Sequence, residues 1–178
     1  YKQAKRRAAQ TLRVRVLPSN TEVAIELDSF AEEAEGSARR ELLLKMRREA
    51  LQIMGALKDF HPKLVGSVWR GTAHKNSDID ILTFSADPTL VVAQLRGSSL
   101  NIVKKEWQSV TKHGKKETSY HIHILLASGN EGEVVVRSLE KINQKERCEI
   151  HGDTVTGLSY PQLLKVLSQN PLRRFVPE

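Results

Sequence analysis

The sequence places two aspartates one residue apart inside an apolar run, Ser77-Asp78-Ile79-Asp80-Ile81. A strand turns successive side chains to opposite faces, so residues 77–84 predict a strand with Asp78 and Asp80 on one face and isoleucines on the other. Two carboxylates on the same face repel each other and lose hydration when they are buried. A divalent cation would offset that cost, and Mg²⁺ is commonly held by one or two carboxylates together with phosphate oxygens of a substrate. The pair therefore predicts a site for Mg²⁺ or Mn²⁺.

A corner of small residues, Gly66-Ser67, precedes this acidic pair along the chain. Glycine lets another group approach the backbone closely, and exposed amides and a serine hydroxyl can hydrogen-bond phosphate. Gly66 and Ser67 are therefore predicted to bind the phosphates of a substrate, for example a nucleoside triphosphate such as ATP. Arg70 could add positive charge to the same site or brace the loop.

The segment that joins these two features resembles a known signature. Gly66-Ser67, Arg70-Gly71 and Asp78-Ile79-Asp80 look like the motif of the polymerase β nucleotidyltransferase superfamily. The minimal nucleotidyltransferases are the nearest likeness, and the catalytic motif of archaeal CCA-adding enzymes is also similar. The likeness is specific over residues 63–84.

The resemblance implies a fold and a reaction. The fold is of the α/β (α+β) class, with a mixed, largely antiparallel sheet flanked by helices, a nucleotidyltransferase-like palm. The reaction is transfer of a nucleoside monophosphate from a triphosphate to a hydroxyl of a small molecule, RNA or protein, with release of pyrophosphate. Asp78 and Asp80 would bind two metal ions, and Gly66 and Ser67 would bind the β and γ phosphates.

The superfamily usually supplies a third carboxylate from a neighbouring strand. The candidate strand here is residues 117–126, with an apolar face and a second face that carries His121 and His123. We therefore expect His121 or His123 at the third-acid position, where an imidazole could bind metal or accept a proton. Both are candidate catalytic residues, whereas Glu117 is expected to lie too far along the strand, and Glu149 and Asp153 remain possible.

The missing third acid opens a second hypothesis from a different class. A catalytically weakened protein of the same fold could act as a binding module for RNA or for a protein, in the manner of an antitoxin. Two imidazoles without a nearby carboxylate would favour the binding module, and a third acid would favour the enzyme.

The remaining pattern predicts the elements that position these residues. Residues 37–60 and 160–169 are expected to form helices, and so are residues 88–96, with Asp87 as the N-cap and Pro88 at the first position. Further strands are expected at 100–110, 117–126, 133–137 and 148–156. Residues 2–10 are expected to form a short helix, and 13–17 and 22–27 a strand pair. This divides the chain into an N-terminal basic arm or hairpin, residues 1–36, packed on a nucleotidyltransferase-like domain, residues 37–178.

Charge and composition add expectations about partners. Lys and Arg number 28 against 21 Asp and Glu, which gives a net charge of +7 and favours polyanionic partners such as RNA. Two basic segments could contact a phosphate backbone: Lys2, Lys5, Arg6, Arg7, Arg13 and Arg15 in one, and Lys104, Lys105, Lys112, His113, Lys115 and Lys116 in the other.

Other features bear on location and assembly. Cys148 is the single cysteine, which excludes an intrachain disulfide and fits a reducing cytoplasm. No apolar run approaches the length of a membrane span, and the first residues lack the hydrophobic stretch of a signal peptide, so a cytoplasmic protein without membrane contact is expected. A small domain of this type could borrow its substrate cover from a partner protein or a second copy.

Overall fold

A six-stranded sheet with helices against one of its faces carries the acidic pair. The computed structural model describes residues 2–112 and 115–177, without the side chains of Lys2, Lys112 and Lys115. The helices are α1 Lys2–Leu12, α2 Asn20–Ala56, α3 Gly66–Arg70, α4 Pro88–Gly97 and α5 Tyr160–Gln169. The strands are β1 Lys63–Val65, β2 Ile79–Phe84, β3 Asn101–Lys112, β4 Lys115–Leu125, β5 Glu131–Arg137, β6 Glu146–Arg147, β7 Thr154–Val155 and β8 Leu158–Ser159.

The strands of the main sheet run in the order β3-β4-β5-β2-β1-β8. Neighbouring strands are antiparallel except for β2 and β5, which are parallel. A parallel pair needs a long connection, and here α4 and the β3–β4 hairpin provide it. The expected fold class, a mixed and largely antiparallel sheet flanked by helices, is confirmed.

The core lies between one face of this sheet and α2. Alternate residues of β2, β4 and β5 point to that face, and all of them are almost fully buried: Ile79, Ile81, Ile122, Ile124, Val134 and Val136. From α2, Met46, Ala50, Ile53 and Met54 have no exposed surface. Because the apolar residues occupy this face, the residues between them, including Asp80, are turned to the opposite face.

The N-terminal segment differs from its expected structure. Residues 22–27 belong to helix α2 rather than to a strand, and residues 13–17 form no strand. Ser19 accepts a hydrogen bond from the Glu22 amide, and the Glu22 carboxylate accepts one from the Ser19 amide, so a complete capping box starts the helix at Asn20. The expected start at residue 37 coincides with a kink at Gly36, where φ is 52°.

Other elements fall close to their expected places. Helices α4 and α5 confirm the helices expected at 88–96 and 160–169, and the Asp87 side chain accepts a hydrogen bond from the Thr89 amide at 2.8 Å, as its N-cap role requires. The strand expected at 148–156 is wrong, because most of that segment turns between β6 and β7. Among the described residues, no helix is long and apolar enough to cross a membrane.

Candidate active site

Asp80 lies against the corner formed by Gly66. Strand β1 runs antiparallel to β2 with Val65 opposite Asp80, and the chain turns directly from Val65 into the short helix α3. Gly66 has φ +70°, and a β-carbon on it would overlap the Asp80 carboxylate. A residue with a side chain therefore does not fit at this position. The fold brings the corner against Asp80, as the sequence predicted, and Asp78 lies just before β2.

A third carboxylate stands beside Asp80 on the neighbouring strand. Glu133 on β5 is the register partner of Asp80 on β2, and adjacent strands lie about 4.8 Å apart. His123 on β4 is in turn the register partner of Glu133. Asp80, Glu133 and His123 thus form one row across three neighbouring strands, on the face opposite the core.

The pKa values of the two aspartates are raised. Burial raises the pKa of Asp80 to about 7, and the negative charges of Glu133 and Asp78 add to the effect. The pKa of Asp78 is also raised, first by burial and then by Glu131 and Glu133. A group of carboxylates with raised pKa values stabilises a bound cation, because the cation removes their mutual repulsion.

The expected position of the histidines needs correction. Residues 117–126 do form a strand with His121 and His123 on the same face as Asp80, but β5 lies between that strand and β2. The histidines are therefore one strand farther from the aspartates than expected, and Glu133 occupies the place next to Asp80. The parallel pairing of β2 with β5 joins residues too far apart in the chain for local pattern to show it. The alternation Glu131-Gly-Glu133-Val-Val-Val was the available signal.

Both histidines contact Glu133 rather than the aspartates. The Nδ1 atom of His121 lies 2.7 Å from Oε1 of Glu133, and its Nε2 lies 2.8 Å from the Ser119 hydroxyl. The Nε2 atom of His123 lies 3.4 Å from Oε1 of Glu106 and 3.8 Å from Oε1 of Glu133. His121 thus fixes the orientation of the Glu133 carboxylate through a short hydrogen bond.

Arg70 is held by a structural ion pair. The residue is 5% exposed, and its guanidinium donates two hydrogen bonds to the Asp153 carboxylate at 2.6 and 3.1 Å and one to the Phe175 carbonyl at 2.8 Å. It also lies 4.5 Å from the centre of the Trp69 ring. These contacts favour the bracing role of Arg70 over contact with phosphate, and they also engage Asp153, one of the acids left open as a third carboxylate.

The donor set suits a hard divalent cation that is shared with a substrate. Among the described residues, no three His, Cys, Asp or Glu side chains converge closely enough to hold a metal ion by themselves. Mg²⁺ does not require such a set, since one or two carboxylates and several phosphate oxygens commonly complete its coordination. Asp78 and Asp80, with Glu133 beside them, fit this kind of site.

A cleft of about 450 Å³ opens beside the carboxylates. Asp78, Glu131 and Glu133 line one side, and His123 and Lys104 line the side toward the sheet edge. It lies on the same sheet face as Asp80. A substrate that reaches the acids from the β3 edge can therefore lie in this cleft.

Comparison with known proteins identifies the family. A family model described as a nucleotidyltransferase domain matches residues 48–142. No curated protein is significantly similar in sequence.

Several solved structures are similar to part of this chain. A cytoplasmic RNA terminal U-transferase is 17% identical over 66% of this chain and 34% of its own, with a TM-score of 0.33. Cid1 in complex with the UTP analogue UMPNPP is 18% identical over 71% of this chain and 38% of its own, with a TM-score of 0.38. The Cid1 poly(U) polymerase with MgGTP bound is 15% identical over 75% of this chain and 41% of its own, with a TM-score of 0.33.

The chain spans between 34% and 41% of the length of these structures. The family model, in contrast, matches more than half of its 178 residues and includes Gly66, Asp78, Asp80 and Glu133. The chain therefore belongs to the family of nucleotidyltransferase domains.

Proposed function

We propose that this chain transfers a nucleoside monophosphate from a nucleoside triphosphate to a hydroxyl acceptor, in a reaction that depends on Mg²⁺ or Mn²⁺. One observation supports this function above the others. Within a nucleotidyltransferase domain, Asp80 lies between the Gly66 corner and Glu133, with a pKa raised to about 7 by burial and by neighbouring acids.

Each residue has a separate role in the proposed reaction. Asp78 and Asp80 would hold the metal ions, and bound ions would stabilise negative charge on the phosphates and lower the pKa of the attacking hydroxyl. Gly66 leaves room for the phosphates to approach the backbone, and the Ser67 hydroxyl donates a hydrogen bond to a phosphate oxygen. His121 keeps the Glu133 carboxylate in place through its 2.7 Å hydrogen bond.

The bonds that change are those at the α phosphorus. The acceptor oxygen forms a bond to this atom, the bond from the α phosphorus to the oxygen that bridges the α and β phosphates breaks, and pyrophosphate leaves. Glu133 takes the proton of the acceptor hydroxyl. Since the reaction is a transfer of a phosphoryl group, most of the catalysis comes from positioning and charge stabilisation.

The position of Glu133 also weighs against the binding-module hypothesis. That hypothesis arose because residues 117–126 offered imidazoles and no third carboxylate near the expected site. Glu133 supplies a carboxylate next to Asp80, which supports the enzyme.

The test is a transfer assay with triphosphates labelled at the α phosphate. The full chain is incubated with Mg²⁺ or Mn²⁺ and either total RNA or a small-molecule extract, and labelled products are separated by size. We expect label on an acceptor, and its loss in the double variant Asp78→Ala plus Asp80→Ala and in Glu133→Gln. Asp59→Ala removes an exposed carboxylate elsewhere and is the matched control.

Transfer that persists in the double variant would contradict the proposed mechanism. Tight RNA binding by a chain that transfers no label under any of these conditions would select the binding module.

A further inference from the structure

The β3–β4 hairpin extends beyond the end of β5, the strand with which β4 pairs. Strand β4 pairs with β3 from Lys115 to Leu125 but with β5 only from Tyr120 to Leu125. The far half of the hairpin therefore projects from the sheet. His113 and Gly114, which lie between β3 and β4 in the sequence, are outside the described residues, so the predicted role of His113 in a basic segment concerns a part that the structure does not describe.

One face of this projecting hairpin has an unusual composition. The register pairs Trp107 with Tyr120, Ser109 with Thr118 and Thr111 with Lys116, all on the face that continues from the core. We call the residues of this face the hairpin patch: Lys105, Trp107, Ser109, Thr111, Lys116, Thr118 and Tyr120. The patch contains two lysines, two aromatic residues, three hydroxyl residues and no acid.

Trp107 is the central residue of the patch. It is 64% exposed, and its ring centre lies 4.9 Å from that of Tyr120, with the two planes inclined by 60°. Trp is among the residues whose large apolar surface is normally covered. An uncovered indole braced by a second ring is a platform on which a nucleobase can stack.

The acids of the hairpin lie on its other face. Glu106 faces His121 and pairs with Lys104 at 2.8 Å, and Glu117 pairs with Lys141 at 2.7 Å. The exposed Lys105 and Lys116 therefore give the patch a positive charge beside its aromatic rings. Aromatic residues occur in protein–protein interfaces too, but lysine and serine are depleted there, so the lysines beside the rings favour a nucleic acid over a protein partner.

We propose that the hairpin patch binds a single-stranded nucleic acid, with bases stacked on Trp107 and Tyr120 and backbone phosphates near Lys105 and Lys116. The patch and the carboxylates lie on opposite faces of the sheet, and β3 is its edge strand. A strand held on the patch can pass around this edge into the cleft lined by Lys104 and Asp78. This last step rests on the proposed function, and it makes the patch a tether for the acceptor.

The binding itself is tested without any transfer. A fluorescein-labelled single-stranded RNA of mixed sequence is titrated with the full chain in the absence of triphosphate, and anisotropy gives the Kd. Trp107→Ala should weaken binding roughly 5- to 150-fold, the range for loss of one stacked base, whereas Trp107→Phe should keep most of the affinity. Lys105→Gln and Lys116→Gln should each reduce the slope of log affinity against log salt by about 0.7.

Tryptophan fluorescence gives an independent signal. Trp69 is 3% exposed and Trp107 is 64% exposed, so quenching by added RNA reports on Trp107. Phe30→Ala removes another exposed aromatic ring, 69% exposed, and Lys165→Gln removes an exposed lysine, so both are matched controls that should bind as the unchanged chain does. A single-stranded DNA of the same sequence forms a second arm, and equal affinity for it would assign recognition to stacking and phosphates rather than to the 2′-hydroxyl.

Three outcomes would overturn the inference. These are an unchanged Kd in Trp107→Ala, an equal loss in Phe30→Ala, or absence of RNA binding together with self-association that depends on Trp107. Failure of the transfer assay with intact binding at the patch would instead count against the proposed function alone.

Discussion

Asp80 lies on a sheet face beside Glu133, against the Gly66 corner, and its pKa of about 7 reflects the unfavourable energy of a charge held there. Sequence pattern was sufficient to predict a strand that carries Asp80 and to associate it with Gly66, whereas Asp78 lies just before that strand, which begins at Ile79 rather than at residue 77. It was not sufficient to find Glu133, because that residue joins the group through a parallel strand pair. The role of His121 and His123 as catalytic residues stays a prediction, while their contacts show that they hold Glu133 and Glu106.

The first prediction concerns the stability cost of Asp80. Asp80→Asn should raise the free energy of unfolding by about 1 to 3 kcal/mol at pH 8 in EDTA, because the amide removes a buried and repelled charge. Folding raises the pKa from 3.8 to about 7. In the unchanged chain, the destabilisation caused by the Asp80 charge is therefore absent below about pH 4, grows with pH and is complete above about pH 7. Urea unfolding at a series of pH values measures it.

Asp59→Asn, at an exposed position, should change stability little at any pH. A destabilised Asp80→Asn at pH 8 would show that the carboxylate is stabilised in the folded chain and that the cluster is not strained.

The second prediction concerns the space at Gly66. Gly66→Ala should lower the free energy of unfolding by about 2 kcal/mol, because φ is +70° and the new methyl group overlaps Asp80. Transfer should fall by about 100-fold, since displaced groups lose their reactive alignment. Thermal unfolding and the labelled-triphosphate assay measure the two effects.

Gly97→Ala is the control, because Gly97 ends α4 without a positive φ and has open space around its α-carbon. It should be neutral or stabilising by up to about 1 kcal/mol. Equal stability and equal transfer in the two variants would contradict the claim that Asp80 leaves no room for a side chain at position 66.

At the scale of elements, α2 positions the corner through two buried arginines. Arg47 donates hydrogen bonds to the Val68 and Trp69 carbonyls of α3 and to the Pro171 and Arg173 carbonyls of the C-terminal segment. Arg39 donates hydrogen bonds to the Thr72 and Ala73 carbonyls, which follow α3. Periodicity predicted a helix here, but it did not show that Arg39 and Arg47 are buried, because pattern alone does not show which carbonyls lack partners.

The third prediction tests the hydrogen bonds that Arg47 donates to these carbonyls. Arg47→Met should lower the free energy of unfolding by about 2 to 4 kcal/mol, because it leaves several buried carbonyls without donors. Burial lowers the pKa of Arg47 to about 10, so it stays charged at neutral pH. Urea unfolding measures the change, and Arg48→Met, an exposed position on the same helix, is the control that should change stability by less than about 0.5 kcal/mol. Similar losses of unfolding free energy in both variants would contradict the proposal that the hydrogen bonds of Arg47 stabilise the fold.

At the scale of the molecule, the C-terminal segment returns across α3. Arg70 joins it to the turn that contains Asp153, and the Phe175 amide donates to the Arg70 carbonyl at 2.9 Å. The sheet order, which places β8 beside β1, brings these distant parts together. The sequence pattern predicted most strands of the main sheet. It did not predict the parallel pairing of β2 with β5 or the return of the C-terminal segment across α3, because both depend on contacts between residues more than 50 positions apart.

The fourth prediction concerns the Arg70–Asp153 pair. Hydrogen bonding to Arg70 holds the pKa of Asp153 below its ordinary value. The stabilisation by the Arg70–Asp153 ion pair is therefore complete above about pH 4 and is lost as the pH falls through the lowered pKa of Asp153. Asp153→Asn should cost about 1 to 2 kcal/mol at pH 7, and the difference from the unchanged chain should shrink in acid, as measured by Tm across pH.

Arg40→Gln breaks the exposed pair with Glu32 and should change stability by no more than about 1 kcal/mol. A difference between Asp153→Asn and the unchanged chain that persists at pH 2 would contradict the assignment to an ion pair.

The parallel pairing of β2 with β5 also makes the acidic centre depend on a distant part of the chain. Asp80 and Glu133 are 53 residues apart, and the β3–β4 hairpin lies between them. Local hairpins close quickly, while pairing across a long loop is slow. We therefore expect this hairpin to close before the two acids meet during refolding, and a nascent chain that ends before Glu133 lacks one of the three acids of the centre.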